Sequence, residues 1–164
     1  MIRRADPGDA EAIVAVARAT WKVAYAGIIP EDVQELAMAS WYALDRIAQQ
    51  AADPAHAFFV ATDDVGGIIG FTFVSRRREP GYGDLKRFYV LPGHQGKGLG
   101  RQMLTAALEA LRANGPVVRL FVEVEKGNVA GVRTYEALGF QFLREYDDDI
   151  CGFITQALEL YLDL

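Results

Sequence analysis

A glycine-rich stretch from Val90 to Arg101 carries the strongest chemical signal in this sequence. Three glycines, Gly96, Gly98 and Gly100, stand at alternate positions between an apolar run and a helix-like stripe of leucines. Glycine leaves the backbone N–H uncovered by a Cβ, and the start of a helix is electropositive. A turn of this kind binds phosphate groups. The segment therefore predicts a site for a phosphorylated ligand.

The spacing excludes two common phosphate loops. A nucleoside-triphosphate loop needs Lys and then Ser or Thr after its second glycine, whereas Leu99 and Gly100 follow Gly98. A dinucleotide fingerprint, G-x-G-x-x-G, fails because its last glycine is replaced by Arg101 or Met103. A phosphotransferase that uses a nucleotide is therefore disfavoured.

Two separate motifs resemble one family. The segment QGKGLG at residues 95–100 resembles the pyrophosphate loop, Gln/Arg-x-x-Gly-x-Gly/Ala, of the GNAT superfamily of acetyl-CoA-dependent N-acetyltransferases. The segment NVAGVRTYEALGF at residues 128–140 resembles the family's N-x-x-A-x-x-x-Y-x-x-x-G-F signature, with Gly131 in place of the usual Ala. The motifs occur in the family's order, and together they cover the C-terminal half of the chain.

The resemblance implies acetyl-CoA as the co-substrate, and no metal. In such a protein the loop N–H groups hold the pyrophosphate, and the preceding strand pairs with the pantetheine arm where the sheet splays. It also implies that the N–H of Val90 points at the thioester oxygen. The cofactor-binding residues implied in this way are Phe88, Tyr89, Val90, Gln95, Gly96, Lys97, Gly98, Leu99, Gly100, Arg101, Asn128 and Tyr135.

Acetyl transfer to an amine needs proton transfers as well as binding. The amine is mostly protonated at neutral pH, so a base must remove a proton. Glu123, five residues before Asn128, is the first candidate by resemblance, and Asp84 at the start of the preceding strand is the second. Either carboxylate could instead be a solvated strand-end charge. Tyr135 matches the family's general acid, which protonates the departing thiolate.

Aromatic residues in the least matched region predict the acceptor pocket. Trp21, Tyr25 and Tyr82 could enclose an organic amine, although aromatic residues at such spacing are more often core. The expected acceptor is a small-molecule amine or a peptide amine, and the sequence does not choose between them.

Bulk properties narrow the class of protein. The 164 residues suit a single domain, 1–164, and 51% hydrophobic with 24% charged residues is typical of a soluble globule. A net charge of −5 argues against nucleic acid as a partner, and no apolar run reaches membrane length. His56 and His94 are too few and isolated for a metal site. The single cysteine, Cys151, suits a reducing cytoplasm and is expected to fill a core or strand position. The chain is expected to be a monomer or a homodimer.

The periodicity predicts an α+β fold, with a mixed, mostly antiparallel twisted sheet of about seven strands flanked by helices. An Asp6-Pro7 start predicts the first helix, Trp21 to Ile29 a second short helix or loop, and Pro30 the start of a helix running toward Ala52. The remaining predicted strands are 57–62, 68–76, 85–91, 117–124, 140–146 and 154–162, after a short first strand at 2–5. Further helices are predicted over 99–114 and 129–138.

Two functions of different class remain open beside the nucleotide-dependent one. The leading prediction is an acetyl-CoA-dependent N-acetyltransferase that works by direct attack in a ternary complex. The alternative keeps the fold without the chemistry: a CoA-binding regulatory module.

Overall fold

The computed structural model describes residues 1–164 and has one seven-stranded sheet with helices on both faces. In chain order the elements are β1 (Ile2–Arg4), α1 (Ala10–Ala24), α2 (Glu31–Trp41), α3 (Leu44–Ala52), β2 (Ala57–Thr62), β3 (Ile68–Arg76), β4 (Tyr82–Val90), α4 (Leu99–Arg112), β5 (Arg119–Glu125), α5 (Val129–Ala137), β6 (Gln141–Ile150) and β7 (Phe153–Asp163). The sheet order is β1-β2-β3-β4-β5-β7-β6, and only β4 and β5 are parallel neighbours. The predicted α+β class and strand number are therefore confirmed. None of the helices combines the length and apolar character of a transmembrane span.

The start of the first helix follows its capping chemistry. The Asp6 carboxylate accepts the N–H of Gly8 at 2.9 Å, and the Asp9 carboxylate accepts the N–H of Asp6 at 2.8 Å. This reciprocal box forms a short 3-10 turn before α1. The predicted break at Trp21 is wrong, because Trp21 continues the buried stripe of α1 and the helix runs on to Ala24.

The predicted helix from Pro30 toward Ala52 is two helices. The first, α2, ends at Trp41, and α3 begins at Leu44. Tyr42, between them, is 4% exposed and packs its ring edge-on against Trp21. A buried aromatic anchor at the junction lets the chain change direction while the apolar faces of both helices stay on the core.

Each face of the sheet has its own apolar core. Helices α1 to α3 cover one face, which we call the front, and pack on Phe58, Val60 and Phe71. Helix α4 covers the back and packs on Leu120, Val122 and Val124 of β5. Because side chains alternate along a strand, the intervening residues of β5 point to the front. These residues are Phe121, Glu123 and Glu125.

The parallel strands β4 and β5 pair over only four residues each. Tyr82–Leu85 pairs with Arg119–Val122, and no ladder pair follows. In the ladder between β3 and β4, Arg87 pairs with Phe73 and Leu85 with Val74, so Lys86 is an extra residue in a bulge. A bulge bends its strand. The edge of β4 from Lys86 to Val90 consequently has no strand beside it on the β5 side.

Cys151 does not lie in a strand or in the core. It is exposed in the turn between β6 and β7, with φ of +51°. The predicted core or strand position is therefore wrong, and the reason is that Cys151-Gly152 closes a two-residue hairpin, in which left-handed backbone is required. The hairpin extends β6 to Ile150, beyond its predicted end at 146.

A buried carboxylate ties the front of the sheet together. Glu159 on β7 accepts hydrogen bonds from Arg77 at 2.8 Å and Arg144 at 2.5 Å, and its side chain is 4% exposed. Burial alone would raise the pKa of Glu159, but these two hydrogen bonds outweigh it and hold the pKa below its usual value. The ion pairs join β7 to β6 and to the end of β3.

We expect Glu159→Gln to lower the free energy of unfolding at pH 7 by about 1–2 kcal/mol, an amount limited by the solvent exposure of Arg144. A carboxyl whose pKa is lowered on folding stabilises the fold above its unfolded pKa and loses that effect as the pH falls. The difference in free energy of unfolding between the variant and the unchanged protein should therefore shrink below about pH 4.5, which is the ordinary pKa of a glutamate side chain. Urea titrations at several pH values measure it.

The matched control is Glu145→Gln, which removes an exposed ion pair with Lys126. It should change stability by less than the first variant at every pH. Equal effects of the two variants would show that Glu159 does not organise the front of the sheet.

Candidate functional site

The loop between β4 and α4 has the backbone that its glycines permit. Gly93, Gly96 and Gly98 have φ of +85°, +76° and +75°, values in the left-handed region that side chains disfavour. Gly98 stands at the N-cap of α4, and no side chain caps that helix. The predicted turn of exposed peptide nitrogens is present where the helix begins.

Six consecutive backbone N–H groups at this turn make no hydrogen bond within the chain. They run from Gly96 to Arg101 and include the first turn of α4, whose N–H groups have no helical acceptor. The positive end of the helix dipole lies at the same point. Amides that are unpaired and exposed in this way form an anion site that a diphosphate matches.

Two contacts fix the loop against the end of β4. The Gln95 side-chain amide donates to the carbonyl of Val90 at 2.9 Å. A Cβ on Gly100 would stand 2.9 Å from the Phe88 ring, so α4 approaches β4 this closely only because residue 100 is glycine. Gln95 and Gly100 thus position the turn, whereas Gly96 and Gly98 shape it.

The free edge of β4 offers peptide groups to the space beside the loop. The N–H of Leu91 donates to Ile69 of β3 at 2.8 Å. Backbone groups alternate in an antiparallel ladder, so those of Tyr89 also face β3, whereas those of Phe88 and Val90 face the gap toward β5. The strand edge expected at residues 88–90 is therefore supplied by two of the three peptides, and Tyr89 contributes its side chain.

A first cleft of about 500 Å³ runs along this edge and over the loop. Of the residues predicted to bind cofactor, all except Lys97 and Arg101 line it. Lys97 is exposed, and the Arg101 guanidinium is directed to the carbonyl of Ala137 at 3.5 Å. Sequence reasoning missed the wall formed by α1. That wall consists of Thr20, Val23 and Ala24.

Tyr135 lies in the wall of the first cleft between two rings. Its centroid is 6.1 Å from that of Phe88 and 5.6 Å from that of Phe140. The Tyr135 hydroxyl has no hydrogen-bond partner in the chain, and burial raises its pKa well above the ordinary value. The phenol therefore keeps its proton at neutral pH and has that proton available to a ligand atom.

Asn128 caps α5, which carries Tyr135. Its side-chain oxygen accepts the N–H of Gly131 at 3.0 Å. A Cβ at residue 131 would stand 2.5 Å from the Asn128 amide nitrogen, closer than such atoms approach. The glycine in place of the family's alanine is thus matched to this position of the Asn128 side chain.

A second cleft of about 570 Å³ opens on the front of the sheet and meets the first. The residues common to both are Tyr25, Lys86, Tyr89, Glu123 and Val124. Trp21 lines the second cleft, and its indole N–H donates to the Tyr89 hydroxyl at 3.2 Å. Tyr82 lines neither cleft and packs against Phe121, with centroids 5.4 Å apart.

The two candidate bases differ in their surroundings. Glu123 is exposed where the clefts meet and makes no ion pair. Asp84 lines the second cleft, but its oxygens are held by Arg77 at 2.7 Å and Lys86 at 3.2 Å. Glu123 is the better placed to accept a proton, because the Asp84 carboxylate is already engaged.

Glu125 is a third carboxylate that sequence reasoning missed. It is 7% exposed, lines the second cleft, and one of its oxygens has no hydrogen-bond partner. Desolvation raises its pKa, and the charges of Asp148 and Glu123 act in the same direction. The sequence does indicate the position of Glu125, since residues 121, 123 and 125 alternate onto one face of β5.

No group of three or more potential metal ligands comes together in this chain. The site is thus a pair of joined clefts lined by peptide groups, aromatic rings and carboxylates. One cleft suits a long phosphorylated ligand, and the other suits a second reactant brought to the junction at Glu123.

Comparison with known proteins gives a consistent result. Residues 18–140 match the model of the acetyltransferase (GNAT) family. A mycothiol acetyltransferase of Streptomyces avermitilis is 41% identical over 97 residues, which are 58% of this chain and 30% of that protein. The spermine/spermidine N(1)-acetyltransferase of Bacillus subtilis is 36% identical over 63 residues, 38% of this chain and 41% of that enzyme. The chain thus spans about a third of the length of the curated relatives named for mycothiol.

The fold likeness extends over the whole chain. The PaiA N-acetyltransferase from Thermoplasma acidophilum, solved in complex with coenzyme A, superposes with a TM-score of 0.83 at 23% identity. The alignment covers 100% of this chain and 98% of that one. The expected GNAT fold is confirmed.

We expect Gly98→Val to weaken binding of coenzyme A by at least about tenfold. A Cβ at φ of +75° is strained, so the loop must move and its unpaired N–H groups are displaced. Isothermal calorimetry with coenzyme A measures the change.

Gly66→Val is the matched control, because Gly66 has φ of +89° in the turn between β2 and β3 and open space around it. Gly66→Val should lower the thermal stability by about as much as Gly98→Val does, and it should leave coenzyme A binding unchanged. Tight binding of coenzyme A by Gly98→Val would show that the loop is not part of the ligand site.

Proposed function

Because the chain belongs to the GNAT acetyltransferase family, we propose that it transfers an acetyl group from acetyl-CoA to a primary amine by direct attack in a ternary complex. The observation that carries the proposal is the run of six unpaired N–H groups beside an unpaired strand edge. The strand edge and four residues of the run, Gly96 and Gly98 to Gly100, line one cleft. The run of N–H groups matches a diphosphate, and the strand edge matches the amides of a pantetheine arm.

On this proposal the first cleft orients acetyl-CoA. The N–H groups from Gly96 to Arg101 bind the pyrophosphate, and the peptide groups of Phe88 pair with the arm as a further strand would. The N–H of Val90 faces the gap between β4 and β5, where it stabilises the negative charge that develops on the thioester oxygen.

The proton balance assigns a role to each polar group at the junction. Glu123 takes a proton from the acceptor ammonium, directly or through a water molecule. The free amine attacks the thioester carbon, a C–N bond forms, the C–S bond breaks, and the second proton that the nitrogen must lose passes to solvent water. Tyr135 gives its proton to the departing thiolate and regains one from solvent. No covalent bond to the protein is needed.

The second cleft is proposed to bind the acceptor. Trp21 and Tyr25 supply its aromatic walls, and Glu123 lies at the end that meets the first cleft. The relatives' names point to small-molecule acceptors, but the matches cover at most about 60% of this chain. The proposed acceptor is therefore a small-molecule amine or a peptide amine, and neither of the acceptors in the relatives' names is assigned to this chain.

Incubation with acetyl-CoA and a panel of amines, with release of free thiol measured, tests the proposal. We expect thiol release that depends on an amine. Coenzyme A binding without transfer to any amine would favour a regulatory module of the same fold. Failure to bind coenzyme A at all would refute both.

We expect Tyr135→Phe to lower kcat by about 10²-fold, because the thiolate would leave without a proton. The affinity for coenzyme A should barely change, since the ring still packs between Phe88 and Phe140. Stopped-flow transfer assays measure kcat, and calorimetry measures the affinity for coenzyme A. Unchanged turnover would take Tyr135 out of the mechanism.

We expect Glu123→Gln to lower kcat at pH 7 by about 10²-fold, and we expect this reduction in kcat to become smaller as the pH rises. The reason is that an acceptor that is already deprotonated needs no base, and a lysine-like amine has a pKa near 10.4. The measurement is kcat against pH for both proteins. Glu109→Gln, an exposed change on α4 outside both clefts, is the control. A deficit independent of pH would point to a structural role for Glu123.

A further inference from the structure

Arg87 is a buried cation in the second cleft without a carboxylate partner. It is 8% exposed and lies on β4. Its guanidinium donates to the Gln50 side chain at 2.6 Å and to the Trp41 carbonyl at 2.9 Å, and it stands over the rings of Tyr42 and Phe73. All of these partners are neutral. A buried charge is ordinarily paired with an opposite one, so this arrangement leaves a positive charge uncompensated.

A second cation lines the same cleft. Arg46 on α3 is exposed, and it makes neither an ion pair nor a hydrogen bond within the chain. Burial lowers the pKa of Arg87, and the positive charge of Arg46 acts in the same direction. Two like charges that line one cleft repel each other, and an anion bound between them would remove that repulsion.

The carboxylates of the second cleft do not supply that anion. Glu123 and Glu125 come from β5 and Asp148 from β6, and none of them pairs with Arg46 or Arg87. Asp84 is held by Arg77 and Lys86. The charges are thus segregated, with acidic groups on the β5 and β6 side and the two arginines between β4 and α3.

We propose that Arg46 and Arg87 form an oxyanion subsite for a carboxylate or phosphate that the acceptor amine carries. This inference rests on the proposed function and narrows it from amines in general to amines that bear an anionic group. Guanidinium groups suit planar, two-oxygen partners of this kind. The amine end of the acceptor lies toward Glu123, and its anionic end lies against the two arginines.

Matched pairs of ligands test the subsite without requiring turnover. The pairs are 5-aminopentanoate with pentylamine, lysine with cadaverine, and O-phosphoethanolamine with ethanolamine. Each ligand is titrated by calorimetry into the protein saturated with coenzyme A. We expect the anionic member of at least one pair to bind about tenfold more tightly or better, as one charged contact allows. Comparison of the first two pairs with the third distinguishes a carboxylate from a phosphate.

Arg46→Gln should abolish the preference for the anionic ligands. It should not disturb the fold, because Arg46 makes neither an ion pair nor a hydrogen bond within the chain. Arg112→Gln, an exposed change at the end of α4 outside both clefts, is the control and should keep the preference. Equal or weaker binding of every anionic member, no binding of any ligand, or a preference unchanged in Arg46→Gln would overturn the subsite. Anion-selective binding without acetyl transfer would refute the proposed function and leave the subsite intact.

Discussion

The site depends on one feature of the sheet: β4 and β5 part after Leu85 and Val122. A parallel pair that continued would use the outward peptide groups of β4, and no cleft would exist beside them. The bulge at Lys86 bends β4 at the point of parting, and the strand goes on to the loop with one edge unpaired. Unpaired strand edges are normally covered or blunted, so an edge left open along a cleft suits a ligand that completes it.

Much of the fold could be predicted because local chemistry and tertiary packing agree. The glycine-rich loop, the helix after it and the strand 68–76 were predicted closely, since periodicity and turn residues give the same answer there. The N-terminal helices were predicted less well. Trp21 and Tyr42 are buried by residues distant in sequence, so whether each continues or ends a helix is decided by packing that no local window contains.

The two clefts differ in how much of each the sequence indicates. The loop and Tyr135 are recognisable because backbone geometry demands glycine, and a proton donor demands a particular side chain. The sequence indicates less of the second cleft. Glu125 could have been found from alternation along β5, but Arg87 could not, because its importance lies in the absence of a carboxylate partner among residues from α2, α3 and β3. Spacing along the chain carries no information about a missing counter-ion.

The availability of Glu123 is itself a product of the neighbouring ion pairs. Glu123 and Glu159 stand directly opposite on β5 and β7, a pairing of like charges that a sheet ordinarily avoids. Arg77 and Arg144 both bind Glu159, so its charge is neutralised and the repulsion is reduced. Arg77 also holds Asp84. Arg77 and Arg144 thus engage Asp84 and Glu159, and Glu123 stays without an ion pair at the junction of the two clefts.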